Sequence, residues 1–577
     1  MAGTSPATQE EELVKVSRYP LALVATLAVS SLALTACGGS DGDDAEQKAP
    51  QKSTSINIKA TDPAKLKQGG TMNWAIQTFA TQWNIVEIDG LQAGPTEVMK
   101  SLMPTFWTAQ ANGEQLPNKA FLLDASTKTV KGKQVVTWHL NPKAKWSDGT
   151  PITWKDVAAN TRALSGHDKA YKVTSTVGFD QVADVKKGKD DYEAVMTFDK
   201  PFADWKGMFN ATANQPLYPA KYVSDAKAFN TAYVNKIPVT GNAFKVGSID
   251  KSAKTVTVVA DPKWWGDKPK LDKIVFHAMD QASMPGAFAN GEVDYFDVGG
   301  DASAFKQASK VAAGEIREAG GPNYRQFTFN GQSDKLKDPK VRHALFMATD
   351  RATIAKSDLK GLGWKPSTLD NHLLVDNQKG YQNNAGKLGK YDPKAAGKLL
   401  DEAGWKLSGK IRKKDGKELS LRFVIPSGTP ASTNEGSMLT QMYQQIGVKL
   451  QVQTVPTNDF FDKYITPGDF DITPYTLLGT PFAASGSTNI YAAKGGNNTA
   501  RIGSKKLDDL LIAASTNAAD PAGALKQTNQ ADAEAWQVAG VLPLYQRPDI
   551  AAINKKLANM GALGMTDPVY ERIGFLK

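Results

Sequence analysis

The sequence predicts an α/β fold, and three stretches carry the prediction. Residues 133–141 alternate apolar and polar side chains, which is the pattern of a half-buried strand. Residues 435–446 have the apolar spacing of a helix that ends at Gly447, and residues 448–454 then alternate as a second strand. Helices that alternate with strands in this way are typical of α/β lobes.

Helix starts are marked by capping residues. Thr153 and Asp156 have the spacing of a capping box and predict a helix that follows them. Asp338-Pro339 and Asp392-Pro393 each place an N-cap and a first-turn proline before residues with helical apolar spacing. The second of these helices is predicted to end at Gly404.

The amino terminus has the features of an exported chain. Lys15 and Arg18 precede an apolar run, residues 20–34, that is about 15 residues long and so shorter than the roughly 20 of a membrane span. A basic start, a short apolar core and small residues before a cleavage site predict a signal peptide over residues 1–36. A polar extension, residues 1–12, precedes these features, and the sequence does not decide whether Met1 is the true start.

Residues 34–37, Leu-Thr-Ala-Cys, resemble a bacterial lipobox. The resemblance implies that Cys37 receives a diacylglyceryl group and becomes the mature amino terminus, with fatty acids such as palmitate as the anchor. Cys37 is the only cysteine of the chain, so a disulfide framework is excluded. A plain signal peptide followed by an incidental cysteine is the alternative.

Residues 37–67 are rich in Gly, Ser, Asp and Lys, and they predict a flexible linker because they cannot bury much apolar surface. The expected location is therefore outside the cytoplasm, with the body tethered by lipid to the outer face of the cell membrane. The chain has 577 residues, which is too many for one core, so two or three domains are expected.

Charge and motif content exclude several classes of function. The net charge is +10, but the basic residues are scattered, so no nucleic-acid partner is predicted. The five histidines form no His-Glu-x-x-His motif, and His372 is expected at the surface; no metal or other cofactor is predicted. Ser303 and Lys306 match Ser-x-x-Lys without an accompanying Lys-Thr-Gly, and we expect no enzyme activity.

An ordered set of short segments resembles the family 5 extracytoplasmic solute-binding proteins of bacterial ABC importers, the oligopeptide-, dipeptide- and nickel-binding type. The resemblance covers nearly all of the chain after the linker. The segments are Gly69-Gly70-Thr71, Trp146–Thr153 with Asp156-Val157, Val239–Lys245, Asp261–Gly266, Gly291–Asp294, Asp338–Leu345 with Asp350-Arg351, and Tyr391–Pro393 with Ala403-Gly404.

This resemblance implies the type II periplasmic-binding-protein fold, in which two lobes and an extra domain close around a solute. In this numbering, lobe I takes residues 69–91, 234–321 and 542–577. The extra domain takes residues 92–233, and lobe II takes residues 323–541. Most of the matching motifs are expected to be scaffold.

The resemblance also places candidate ligand contacts in two loops. One follows the strand at residues 470–472, and the other follows the first strand. The candidates are Tyr475, Thr476, Leu477, Thr480 and Phe482 in the first loop, and Trp83 and Asn84 in the second. Thr480 stands where the peptide-binding relatives carry an aspartate for the ligand's ammonium group. No Asp or Glu occurs between Asp471 and Asp508, so only an acid from another segment could supply that charge.

The function implied is that of a monomeric subunit that captures peptides or peptide-like solutes and delivers them to a permease with its ATPase subunits. The alternative keeps the fold without transport. It is a cell-envelope scaffold or regulatory lipoprotein that binds a lipid or glycan precursor.

Overall fold

The computed structural model describes residues 55–577. Cys37, the signal peptide and most of the predicted linker therefore lie outside the described residues. The helices are α1 Ala93–Leu102, α2 Trp154–Leu164, α3 Ala220–Val223, α4 Ala226–Thr231, α5 Met284–Ala289, α6 Ala302–Ala308, α7 Pro339–Met347, α8 Arg351–Asp358, α9 Pro393–Glu402, α10 Pro430–Gln445, α11 Ala483–Tyr491, α12 Lys505–Thr516 and α13 Pro521–Val538.

The strands are β1 Thr71–Ile76, β2 Trp107–Ala109, β3 Gln115–Pro117, β4 Leu122–Val130, β5 Lys133–Leu140, β6 Val182–Lys187, β7 Glu193–Phe198, β8 Phe244–Asp250, β9 Thr255–Ala260, β10 Lys273–Ala278, β11 Tyr295–Asp297, β12 Gly314–Phe329, β13 Lys406–Ser408, β14 Ile411–Lys414, β15 Lys417–Glu418, β16 Ser420–Pro426, β17 Lys449–Val455, β18 Ile472–Leu477, β19 Val541–Asn554, β20 Leu557–Ala558 and β21 Gly574–Phe575.

The main sheet has ten strands in the order β17-β16-β18-β12-β19-β11-β1-β10-β9-β8. The long strands β12 and β19 pair antiparallel at its centre. Strands from residues 71–297 lie on one side of this pair, and strands from residues 420–477 lie on the other. A separate four-stranded sheet, β4-β5-β7-β6, comes from residues 122–198. The mixture of helices and strands confirms the predicted α/β class.

Two large apolar clusters hold this arrangement together. The first joins the β1 side of the main sheet to the four-stranded sheet, with Trp138 at 0% exposure among its buried residues. The second includes Trp536, also at 0% exposure, and extends from Phe423 on β16 to Phe296 on β11. This second core therefore spans the central strand pair.

The predicted caps are present. Asp156 Oδ2 accepts a hydrogen bond from Thr153 N (2.8 Å), which completes the capping box of α2. Asp338 and Asp392 each accept a hydrogen bond from a first-turn amide of their helix. Helix α10 begins at Pro430, five residues earlier than the predicted helix, since its first turn carries little of the apolar spacing used to predict it.

The linker prediction is wrong for its last residues, 55–67. Asn57 N donates to Ala562 O (2.9 Å), and Lys67 N donates to Phe575 O (2.8 Å). Leu66 is only 2% exposed. Polar composition predicted flexibility, but backbone hydrogen bonds to the carboxyl-terminal segment hold these residues regardless of their side chains.

Candidate functional site

A loop at residues 478–482 follows the carboxyl end of β18, at the edge of the main sheet. Gly479 N donates to Asn323 Oδ1 (3.0 Å), and Thr480 Oγ1 accepts from Phe482 N (3.2 Å). A Cβ on Gly479 would lie 1.9 Å from the carbonyl oxygen of Pro322. The close approach of the two backbones therefore requires glycine at this position.

Cavities lie on both sides of this loop and share Gly479, Thr480 and Phe482 as lining residues. The first, of about 40 Å³, is also lined by Tyr324, His372, Val375, Leu477 and Leu478. The second, of about 290 Å³, faces residues 202–215 of the chain. The loop is thus the wall between a narrow apolar cavity and a larger one.

The lining of the first cavity is apolar and carries hydroxyl groups. Leu478 is 76% exposed, an unusual state for a leucine, and Phe482 is 8% exposed. The lining contains no Asp or Glu. Its groups can pack against apolar surface and exchange hydrogen bonds through hydroxyl groups, but they cannot neutralise an ammonium group.

The second cavity includes an acid that the sequence did not place there. Asp204 Oδ2 accepts a hydrogen bond from Ser485 N (2.7 Å), in the first turn of α11. Burial raises the pKa of Asp204, and the hydrogen bonds from the α11 backbone oppose that rise. A carboxylate is favoured at a helix amino terminus. The hydrogen bond of Asp204 to the first turn of α11 therefore links the segment that precedes β8 to the loop at Thr480.

We expect Asp204→Ala to lower the free energy of unfolding by about 0.5–2 kcal/mol, the usual range for a lost helix cap. Urea denaturation of the purified chain measures this. Asp204→Asn is the matched control, because its amide oxygen still accepts the hydrogen bond. Equal stability of the alanine variant and the native chain would contradict a capping role.

A buried polar network lies behind the first cavity. The hydroxyl groups of Tyr324 and Tyr491 contact each other, and Tyr324 also donates to the carbonyl oxygen of His372 (2.8 Å). His372 Nδ1 lies 2.7 Å from Asp532 Oδ1, and its Nε2 lies 2.8 Å from Val541 O. His372 is 2% exposed, so the prediction of a surface position is wrong; its ring nitrogens face a carboxylate and a carbonyl oxygen in the interior.

The model of the bacterial extracellular solute-binding proteins, family 5 (middle), matches residues 121–499. The oligopeptide-binding protein OppA of Mycobacterium tuberculosis strain H37Rv is 36% identical over 568 residues, which cover 97% of this chain and 95% of that protein. The chain belongs to this solute-binding family.

Solved structures share the fold. The periplasmic EDTA-binding protein EppA superposes with a TM-score of 0.80 at 24% identity, over 92% of this chain and 100% of that one. AppA from Bacillus subtilis, solved in complex with a nonapeptide, has a TM-score of 0.69 at 20% identity, over 89% and 100% of the two chains. The predicted type II periplasmic-binding-protein fold is confirmed, and the chain is a solute-binding subunit of an ABC importer.

Only part of the predicted contact set of this solute-binding protein lines the two cavities. Leu477, Thr480 and Phe482 do. Tyr475 instead places its ring 5.7 Å from that of Phe461 and its hydroxyl 2.6 Å from Thr499 Oγ1. Thr476 is paired across the sheet with Arg325 and lines neither cavity. The proposed role of these two residues in ligand contact stays a prediction.

The structure contradicts ligand contact at Trp83 and Asn84. Both are 0% exposed. The Trp83 ring packs edge-on against Phe79 at 5.8 Å, and Asn84 Nδ2 donates to Phe229 O (2.9 Å). Their position after the first strand suggested a cleft residue, but the chain turns there into the core of the family fold.

The Ser-x-x-Lys match lies at the surface of the solute-binding protein. Ser303 and Lys306 are exposed on α6, and Ser303 Oγ accepts from Gln307 Nε2 (3.2 Å).

Within residues 55–577 no group of three or more His, Cys, Asp or Glu side chains is placed to hold a metal ion. Over the same residues, no helix is both long enough and apolar enough to span a membrane.

Proposed function

We propose that the chain captures peptides or peptide-like solutes outside the cytoplasm and passes them to a permease driven by ATPase subunits. The likeness to the mycobacterial oligopeptide-binding protein along nearly the whole chain carries this proposal. The exposed Leu478 and the apolar and hydroxyl lining around Thr480 support it, because they suit backbone and apolar side-chain groups.

Closure around the ligand is part of the proposal. Lobe I is assigned residues 69–91, 234–321 and 542–577, the extra domain residues 92–233, and lobe II residues 323–541. The position of β12 and β19 at the centre of the main sheet supports this division, because these strands connect its two sides. The protein acts as a monomer without enzymatic activity, anchored by lipid at Cys37 to the outer face of the cell membrane.

At Thr480 the protein holds the ligand's amino end without a charged side chain. A hydroxyl group can accept a hydrogen bond from an ammonium group, but it leaves the charge unneutralised, which costs several kcal/mol when the group is buried. Asp204 supplies the nearby carboxylate, but the first turn of α11 already uses one of its oxygens. The pocket should therefore accept N-blocked, cyclic or uncharged ligands.

Titration calorimetry with one peptide in free and N-acetylated forms tests this function. Both forms should bind, and acetylation should change the affinity by less than about tenfold, or 1.4 kcal/mol. A larger loss on acetylation would show an ammonium site and contradict the role given to Thr480. Failure of a broad peptide set to bind, together with a lipid or glycan that co-purifies, would favour the envelope-scaffold alternative.

A further inference from the structure

A separate cavity of about 270 Å³ lies on the other side of the central strand pair. It opens at the carboxyl ends of the parallel strands β1 and β11, where Gln77 and Asp297 line it. Ligands of α/β sheets bind at such edges. Because a pocket for a drug-sized ligand is roughly 300–1,000 Å³, this cavity is suited to one group of a ligand rather than to the whole of it.

Aromatic side chains form part of its wall. Trp74 and Tyr295 both line the cavity, and their rings meet edge to face with centroids 4.9 Å apart. They are 4% and 6% exposed, respectively, so packing holds both rings in place. Tryptophan and tyrosine rings attract cations through the negative potential of their faces.

Four acids share the cavity with one lysine. Lys100 Nζ lies 2.9 Å from Asp567 Oδ1, and these two charges neutralise each other. Asp549 Oδ2 accepts from Leu563 N (2.7 Å) and Gly564 N (2.9 Å). Asp297 Oδ1 accepts from Gly299 N (2.8 Å). Backbone amides therefore orient two carboxyl groups by one oxygen each.

Glu97 on α1 is the acid without a partner. In residues 55–577 its carboxyl group accepts no hydrogen bond and forms no ion pair, and it lines the cavity. Burial raises its pKa, while the charge of Lys100 one turn away opposes the rise. Burial raises the pKa of Asp297, and the hydrogen bond from Gly299 and the charge of Arg547 oppose that rise; within the same residues Arg547 forms no ion pair with it. Glu97 is partly exposed, so its carboxyl group is open to a hydrogen-bond donor carried by a ligand.

The kind of cation follows from the same surroundings. A metal ion needs several ligating side chains at short range, and residues 55–577 contain no such group. An ammonium or guanidinium group donates hydrogen bonds to carboxylates and packs against aromatic rings. The lining matches the second requirement.

We propose that this cavity binds an organic cation carried by the solute, so that the protein prefers ligands with a basic group. The inference rests on the proposed function, because it names one feature of the peptide-like solute. Two sources share the chemistry: a lysine or arginine side chain, and a free amino end. Because the site proposed for the amino end, at Thr480, carries no charge, we favour the lysine or arginine side chain as the source of the cation.

Calorimetry with the full-length chain tests the inference. The probes are N-acetylated pentapeptides of alanine in which arginine occupies each position in turn, with citrulline as its neutral isostere. At one position or more, arginine should bind at least tenfold more tightly than citrulline. Glu97→Gln should reduce that ratio to less than threefold, as should Asp549→Asn if the first variant fails to fold. Glu402→Gln, an exposed substitution on α9, should leave the ratio unchanged.

The outcomes separate this inference from the function on which it rests. Peptides that bind equally well with arginine and with citrulline at every position would overturn the cation site and leave peptide capture intact. A native chain that binds none of them would overturn both. A third arm uses the citrulline peptides with a free amino end. Tighter binding there, lost in Glu97→Gln, would support the cavity with the amino end as its source.

Discussion

Replacing Arg325 with methionine is expected to lower the free energy of unfolding by about 3–5 kcal/mol, the usual loss when one partner of a buried ion pair is removed. Arg325 lies on β12, and its Nε donates to Glu435 Oε1 at 2.7 Å. Its Nη2 donates to Ser432 Oγ at 2.8 Å. Arg325 is 8% exposed and Glu435 is 0% exposed, so water cannot replace the lost partner.

A second carboxyl group beside Glu435 increases the expected loss. Burial and the negative charge of Glu435 raise the pKa of Asp358, and the positive charge of Arg325 opposes that rise. Without the guanidinium group, Glu435 would lie in the core beside another acid with no cation to neutralise it.

Urea denaturation followed by tryptophan fluorescence measures this effect. Arg422→Met is the matched control, because Arg422 pairs with Asp469 at the surface with 36% and 53% of the two side chains exposed. Its loss should be within about 1 kcal/mol. Arg325→Met combined with Glu435→Gln should be more stable than Arg325→Met alone. A loss below about 1 kcal/mol for Arg325→Met itself would contradict the role of the pair.

Replacing Cys37 with alanine is expected to abolish membrane anchoring. Cys37 is the only cysteine and ends the lipobox-like sequence, so no other thiol could carry the lipid. Buried acyl chains contribute about 0.8 kcal/mol per methylene to membrane binding, and the variant would lose all of it. The protein should then appear in the medium or keep its signal peptide.

Fractionation of cells that express each form, with mass spectrometry of the native amino terminus, provides the measurement. Ser40→Ala, three residues beyond the cysteine, is the control and should stay anchored. Membrane retention of the Cys37 variant, together with a native Cys37 free of lipid, would show that a plain signal peptide precedes the chain.

The sequence alone determined the family, the α/β class and many element ends. Helix α2 and strand β5 could be predicted because capping residues and alternation act within a few residues of the chain. The order of the family segments led to Thr480, Leu477 and Phe482, which line a cavity, and their contact with ligand stays a prediction.

The tertiary structure alone decided what each buried polar residue contacts. Asn84 and His372 have side-chain partners far away in sequence, and no local pattern shows that packing will enclose them. The same holds for Glu97, Asp297 and Asp549, which lie on three separate elements and meet only where β1, β11 and β19 pair. Local hydrogen bonds and apolar spacing specify where an element forms, whereas burial and charge depend on chain segments that meet only when the sheet is complete.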